Sequence, residues 1–212
     1  MRQKIKDIVL EEFTRLISLI EADFVVNYNK KVNNFLLSQM DEQITASMVF
    51  VSSFESKSGF AIETCAKRIA RLRFGEENVP AIVNPFNLPH TINPSSINGQ
   101  VVITNVDTNN GDLRGKISAY RANHMASGLG KNRVESGVTQ DSIKTDLLPL
   151  SDEFIAHTIH TKPVDLAFFD GVDWNVCELK AGGDLDSSNA PSNVEKLLNI
   201  YVDMGIENCN AY

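Results

Sequence analysis

Hydrophobic positions at helical spacing organise the first third of the chain. They predict a helix from about Gln3 to Ala22, built on Ile5, Ile8, Val9, Phe13, Leu16, Ile17 and Ile20. A second apolar pattern predicts a helix near Lys30 to Gln39, and a third predicts either a helix or a strand just before Ser52. This region shows no catalytic pattern, so we expect it to pack either on the core or on a second subunit.

A longer helical pattern follows and is bounded by a clear stop signal. From about Ser58 to Arg73 the apolar stripe consists of Ile62, Cys65, Ala66, Ile69 and Leu72. Gly75 comes directly after it and is typical of a residue that ends a helix in the left-handed conformation. We therefore expect this helix to pack one face against the core.

The middle of the chain alternates between loop and strand signals. Prolines and asparagines predict a long loop over Pro80 to Gln100, and a β-branched run predicts a strand over Gln100 to Val106. The segment Asp112 to Glu135 is rich in Gly and Asn and poor in aliphatic residues. We expect an exposed loop there, with at most a short helix around Ser118 to Met125.

A hairpin pattern lies near the C-terminal end. Two β-like runs, Val164 to Phe169 and Trp174 to Leu179, flank the turn sequence Asp170-Gly171-Val172-Asp173. Any symmetric closure of this turn sets Phe169 opposite Trp174. The same register then sets Asp165 opposite Glu178.

The facing acids of this hairpin point to metal chemistry. Side chains that face each other across two strands have Cβ atoms roughly 5 Å apart, and alternation puts Glu178 and Lys180 on one face while Leu179 points to the other. Two close carboxylates raise the pKa of one of them unless a cation or a shared proton compensates. A hard ion such as Mg²⁺ meets that need. The alternative is an edge hairpin whose acids and lysine pair in solvent, but its apolar run favours a buried hairpin.

These residues carry a family resemblance. Pro163-x-Asp165 followed by Glu178-x-Lys180 resembles the active-site pattern of PD-(D/E)XK nucleases, and Pro163 to Leu198 is similar to a type II restriction endonuclease, with some similarity to the TdeIII-like subgroup that cuts interrupted GC-rich palindromes. The resemblance implies an α/β fold with a restriction-endonuclease-like core, a mixed twisted sheet flanked by helices. It also implies Mg²⁺, double-stranded DNA as substrate, a homodimer and a cognate DNA methyltransferase.

The same resemblance implies roles for individual side chains. Asp165 and Glu178 would hold Mg²⁺ together with the backbone carbonyl of Leu179, while Lys180 would position the attacking water. Relatives place a further acid from the first core helix near the metal. Glu63 is our candidate, although it also stands one turn before Lys67, where an ion pair is the simpler interpretation.

Glu55 is the rival of Glu63 for that role, and we expect it in the loop that leads into the helix.

Several basic and polar residues are candidates for DNA contact. The net charge of −7 argues mildly against a nucleic-acid partner, but the basic residues cluster, and the shape of the field matters more than the total. The alternative is ordinary solvated surface. The candidates are Lys57 in the first cluster, Arg114, Lys116, Arg121, Lys131 and Arg133 in the second, and Ser187 and Asn189 after the Gly182-Gly183 pair.

Composition sets the remaining expectations. With 212 residues, 42% hydrophobic and 22% charged, we expect one nuclease domain over 1–212, with a helical extension over 1–54 and the catalytic core over 55–212. No apolar run approaches a membrane span, so we expect a cytoplasmic protein without membrane contact. Three scattered cysteines without metal spacing are expected to be reduced core thiols.

The C-terminal end is expected to be short for such a core. A helix is predicted from Val194 to about Met204, capped by Ser192 or Asn193 and ended by Gly205. The resembling core has a further strand after this helix, and few residues remain here. We therefore expect a truncated chain or gene fragment whose last strand begins at Asn210-Ala211-Tyr212.

The function predicted from the sequence is Mg²⁺-dependent, sequence-specific hydrolysis of DNA phosphodiesters to 5′-phosphate ends. Two alternatives stay open. One is a nuclease of the same type without sequence specificity, acting in repair or on mobile elements. The other is a catalytically inactive DNA-binding relative.

Overall fold

The computed structural model describes residues 1–124, 137–180 and 190–212, the last range without the side chains of its first two residues. The chain folds as a mixed α/β protein with two small sheets, so the expected fold class is confirmed at that level.

Two compact units make up the chain. We call the first the helical unit; it comprises Met1–Arg73 and the described part of 179–183. We call the second the mixed unit; it comprises the described parts of 74–178 and 184–212. The expected division at residues 54 and 55 falls inside a continuous helix, because that helix runs from Glu42 to Phe74.

The helical unit is an antiparallel pair of long helices. Helix α1 is Arg2–Val32 and helix α2 is Glu42–Phe74. Two ion pairs fix their direction, since Arg68 lies 2.6 Å from Glu12 and Lys57 lies 3.0 Å from Asp23. Between them Leu16, Ile20 and Ala61 form a small buried cluster.

One predicted helix of this unit is wrong. The residues between α1 and α2 form turns instead of a helix near Lys30 to Gln39. The side chain of Asn34 accepts a hydrogen bond from the backbone of Leu36 at 3.0 Å, which competes with helical pairing. Phe35 and Leu36 are 83% and 77% exposed, so no burial compensates.

The mixed unit contains every strand found among the described residues. Its strands are β1 (Ile82–Val83), β2 (Gln100–Val106), β3 (Ile155–Val164), β4 (Leu166–Phe169), β5 (Trp174–Cys177) and β6 (Cys209–Ala211). Its helices are α3 (Gly111–His124), α4 (Gln140–Ser142), α5 (Pro149–Glu153) and α6 (Ala190–Met204), with a π turn at Ile143–Leu147 and 3₁₀ turns at Glu76–Asn78 and Pro94–Ser96.

One continuous stretch of chain, formed by β3 and β4, connects the two sheets. The first has the order β1-β2-β3, with β1 parallel and β3 antiparallel to β2. The second has the order β4-β5-β6, with β4 antiparallel and β6 parallel to β5. Only Asp165 separates β3 from β4, so one stretch of chain leaves the first sheet and enters the second at that residue.

The Gln100 side chain joins the two sheets at this point. Its Nε2 donates to the carbonyl of Ala167 at 2.8 Å and to that of Pro80 at 2.7 Å, while its Oε1 accepts from the Ala167 amide at 2.9 Å. Gln100 is only 2% exposed. A side-chain amide thus pairs with the outer edge of β4 as a neighbouring strand would, which satisfies buried backbone groups two residues beyond Asp165.

Helix α3 corrects the expected loop over Asp112 to Glu135. It runs from Gly111 to His124 and buries Leu113, Ile117 and Tyr120 in the core of the mixed unit. The rest of that predicted loop lies outside the described residues.

The C-terminal elements follow the expected order with small shifts. Helix α6 begins at Ala190, so Ser192 and Asn193 lie inside it and the expected cap is wrong. Gly205 ends it with a φ of 57°, as predicted. The strand expected from Asn210 forms one residue earlier as β6 and pairs with β5.

Candidate metal site and adjoining cavity

The hairpin turn has the predicted register because Asp170 organises it. Its Oδ1 accepts from the amides of Val172 and Asp173 at 2.9 Å each, and Gly171 takes a φ of 105°. These backbone hydrogen bonds hold the pKa of Asp170 below its ordinary value. Phe169 then faces Trp174 directly, which confirms the predicted closure.

The two candidate metal ligands lie at the open end of this hairpin. The last observed pair of the register is Leu166 with Cys177, the neighbours of Asp165 and Glu178. Asp165 is the bend between β3 and β4, and β5 ends at Cys177, so the strand predicted to run on to Leu179 is shorter and the facing of the two acids stays a prediction. The amide of Glu178 donates to the carbonyl of Tyr212 at 2.8 Å, so the backbone at this acid stays paired with the chain that follows β6. Asp165 is half-buried at the sheet junction.

Glu178 has a cationic partner that the sequence did not reveal. Its side chain is 7% exposed, and its Oε2 lies 2.5 Å from the Nζ of Lys196 on α6. A buried carboxylate needs a compensating positive charge, which Lys196 supplies here. The site therefore holds an acid that is already neutralised by a protein cation.

The other residues proposed for the catalytic cluster belong to the helical unit. Leu179 is half-buried and Lys180 is exposed. Glu63 lies 3.7 Å from Lys67, so the ion pair expected at this spacing is present. Glu55 lies inside α2 and not in an entering loop, because that helix begins at Glu42. The catalytic roles of these residues stay predictions.

The candidate DNA-contacting residues in the described ranges all have local partners. Lys57 pairs with Asp23 on α1 at 3.0 Å. Arg114 donates to the carbonyl of Thr108 at 3.2 Å and to Asn109 at 3.0 Å.

The two remaining described candidates are also paired. Lys116 pairs with Glu153 and lies over the ring of Phe154, and Arg121 lies 3.0 Å from Glu195. Lys131, Arg133, Ser187 and Asn189 lie outside the described residues. DNA contact by this set stays a prediction.

A cavity of about 450 Å³ opens between α6, α3 and the β2–β3 pair, and Lys196 lines it. Arg114 and Lys162 line it as well, so three cations share one cavity. Lys162 donates to the hydroxyl of Thr108.

Asp203 forms part of the same wall and is 5% exposed. Burial raises the pKa of Asp203 to about 7, although the charge of Lys162 and a hydrogen bond from Thr104 oppose the shift. Within the described part of the chain, its Oδ1 is buried without a hydrogen-bond partner.

Sequence reasoning missed Lys196, Lys162 and Asp203. One signal was present: Asp203 is a lone acid in the apolar run Ile200 to Met204, where a helix facing a core has an aliphatic residue. Lys162 and Lys196 had no local signal, because their partners lie far away in the chain.

Comparisons with known proteins found no relative. No protein-family model, no curated protein and no solved structure matches this chain. Among the described residues, no group of three or more His, Cys, Asp and Glu side chains is arranged to hold a metal. None of the described helices combines the length and apolar character that a membrane crossing requires. The family resemblance stays a prediction.

Proposed function

We propose that this chain is a Mg²⁺-dependent endodeoxyribonuclease of the PD-(D/E)XK type, acting on double-stranded DNA as a type II restriction endonuclease. The observation that carries the proposal is the hairpin register, whose last pair, Leu166 with Cys177, adjoins Asp165 and Glu178. The strand order adds support. A strand, a turn, a second strand, a helix and then a further strand is the order that the resemblance implies, and β4, β5, α6 and β6 follow that order.

The donor set fits a hard divalent ion. The two carboxylates offer oxygen ligands, and Mg²⁺ keeps several waters, so two protein acids and a carbonyl are sufficient. Lys196 neutralises Glu178 in the metal-free protein, so the ion competes with this lysine for the carboxylate. Asp165 and Glu178 would hold the ion together with the Leu179 carbonyl. Bound Mg²⁺ supplies an activated water and neutralises charge on the phosphate.

The chain's own groups then have separate tasks. The hydrogen bond from the Glu178 amide to the Tyr212 carbonyl would hold the backbone of this acid in place, and Asp165 lies between two strands, which would limit reorganisation when substrate arrives. Lys180 follows Glu178 by two residues and would orient the water and stabilise negative charge on the phosphate oxygens. Glu63 is the proposed additional acid. Hydrolysis would leave a 5′-phosphate and a 3′-hydroxyl, and a homodimer would cut both strands of a short palindrome.

Digestion of methylation-free plasmid DNA with Mg²⁺ or with a chelator tests this proposal. We expect discrete fragments with Mg²⁺ and none with the chelator, and end-mapping should find 5′-phosphates at a repeated sequence. A smear would support the nonspecific nuclease instead. Intact plasmid with properly folded protein would contradict both nuclease readings.

Substitutions in the site give a sharper test. Lys180→Ala should abolish cleavage and leave DNA binding in a gel-shift assay nearly unchanged, and Glu178→Gln should lower the rate by 10³-fold or more, in line with loss of a metal ligand (roughly 4 kcal/mol). Asp152→Asn on α5 is the matched control, because this exposed acid lies outside the hairpin. Full activity of Lys180→Ala would remove that lysine from the mechanism.

A second candidate function is a DNA-binding relative without catalysis. The Lys196 contact favours it, since a lysine at 2.5 Å neutralises Glu178 without any metal. Calorimetry with Mg²⁺ separates the two: the enzyme binds the ion at this site and the inactive relative does not.

A further inference from the structure

The Lys196 side chain both contacts the Glu178 carboxylate and lines the adjoining cavity, so its position affects metal binding at Glu178. Its Nζ contacts Oε2 of the Glu178 carboxylate at 2.5 Å, so a positive charge lies directly beside a candidate metal ligand. An ammonium at this distance repels a divalent ion that binds the same carboxylate. Metal binding at Glu178 is therefore favoured when Lys196 moves away.

Lys196 is the partner that has room to move. Its side chain is 46% exposed, whereas that of Glu178 is 7% exposed. The same side chain lines the cavity of about 450 Å³ that Arg114 and Lys162 also line. Long lysine side chains swing their charged end while the stem stays packed.

Two acids, Glu195 and Asp203, line the cavity as well. Glu195 pairs with Arg121 at 3.0 Å, and burial raises the pKa of Asp203 to about 7, so positive charge prevails and suits an oxyanion such as a phosphate group.

Building on the proposed function, we infer that Lys196 is a displaceable counterion: it neutralises Glu178 in the metal-free protein and turns into the adjoining cavity to bind a phosphate-type oxyanion when Glu178 becomes a metal ligand. Metal binding at Glu178 and oxyanion binding in the cavity then favour each other, because movement of Lys196 away from Glu178 stabilises both bound states. By reciprocity each ligand tightens the other by the same factor. Metal loading is in this way coupled to the arrival of a phosphate-bearing substrate.

Calorimetric titration of the full chain with Mg²⁺ tests the competition. Lys196→Met removes the competing charge and keeps most of the stem, so we expect Mg²⁺ to bind about tenfold more tightly than to the native protein. Lys144→Met is the matched control. Lys144 also pairs with a glutamate, Glu207 at 3.3 Å, and its side chain is 41% exposed, so its loss should leave the affinity within about twofold.

Sulfate serves as the oxyanion probe in a second titration at constant ionic strength, with chloride as the comparison. Sulfate should tighten Mg²⁺ binding to the native protein by about fivefold or more, and should lose this effect in Lys196→Met. Equal Mg²⁺ affinity in native and Lys196→Met protein would overturn the competition, and no sulfate effect on the native protein would overturn the role of the cavity.

The Mg²⁺ titrations distinguish failure of the proposed function from failure of this inference. If neither protein binds Mg²⁺, Glu178 is not a metal ligand, and both proposals are wrong. If both bind Mg²⁺ equally, the nuclease proposal stands and only the counterion role is lost. If Lys196→Met is unfolded without metal, recovery of its helical circular dichroism signal on adding Mg²⁺ supports the competition, and no recovery contradicts it.

Discussion

The helical unit and the mixed unit bury their side chains in different ways. The mixed unit has one continuous apolar cluster that draws on its strands and on α3 and α6. The helical unit has a small cluster around Leu16, Ile20 and Ala61, and ion pairs join its two helices. It also exposes many large apolar side chains, such as Leu10 at 69% and Val25 at 66%. Stability of the mixed unit thus depends on packing, and that of the helical unit depends more on charge pairing and helix length.

The largest expected effect is a core truncation in the mixed unit. Leu147 is fully buried, so Leu147→Ala should lower the free energy of unfolding by about 3 kcal/mol. The same change at Leu10 on α1 should stay within about 0.5 kcal/mol, because this side chain is mostly in solvent. Urea unfolding followed by circular dichroism measures both. Equal effects would show that the two units do not differ in this way.

Buried acids give the next contrast. Glu12 in the helical unit contacts Arg68 at 2.6 Å, whereas Asp203 in the mixed unit has a pKa raised to about 7 by burial. A folded-state pKa above the unfolded value means that the contribution of Asp203 to stability is complete at low pH and is lost as pH rises through about 7.

Asp203→Asn removes this titration and isolates its effect. Relative to the native protein, the variant should gain about 3 kcal/mol of stability between pH 5 and pH 8, since each pKa unit corresponds to about 1.4 kcal/mol. Urea unfolding at both pH values measures the difference. A constant difference between the two proteins would mean that Asp203 does not titrate in this range.

Substitution of Gln100 tests whether its buried hydrogen bonds in the mixed unit contribute more to stability than a surface hydrogen bond in the helical unit. Gln100→Leu leaves the Ala167 amide and two carbonyls without partners, which should lower the unfolding free energy by about 2 kcal/mol. Gln3→Leu on α1 is the control, because Gln3 bonds only to Asp7 at the surface. Comparable losses from both changes would contradict the role assigned to Gln100.

Cysteine labelling should show the smallest effect. Burial raises the pKa of Cys65 in the helical unit and raises that of Cys209 in the mixed unit to about 12. Both thiols should therefore react only when their unit opens locally. We expect Cys65 to react about tenfold faster than Cys209 with a thiol reagent at pH 8, because the helical unit has the smaller core. Faster labelling of Cys209 would reverse the proposed order of stability.

The sequence pattern correctly predicted those elements that are determined by interactions between residues close together in the chain. Strand β2 has the predicted bounds because β-branched residues fill it, and the hairpin closes as expected because the Asp170 side chain binds its own turn. Helix α3 was missed, since its Gly and Asn content hides Leu113 and Ile117, which face the core one turn apart.

The long-range part of the site had no local signal. The contact between Glu178 and Lys196 and the burial of Asp203 arise when α6 packs on the sheets. A strand pattern predicts which residues share a face, but it does not report which helix will cover that face.

The hydrogen bonds of Gln100 restrict which side chains position 100 can accept. The position needs a donor and an acceptor on one planar group at the reach of a glutamine, since the partners are both an amide and carbonyls. Glutamate has the same shape but presents only acceptors, and asparagine is one methylene shorter. A saturation library at this codon, selected for heat resistance, should therefore return glutamine almost alone, despite the distance of this side chain from solvent.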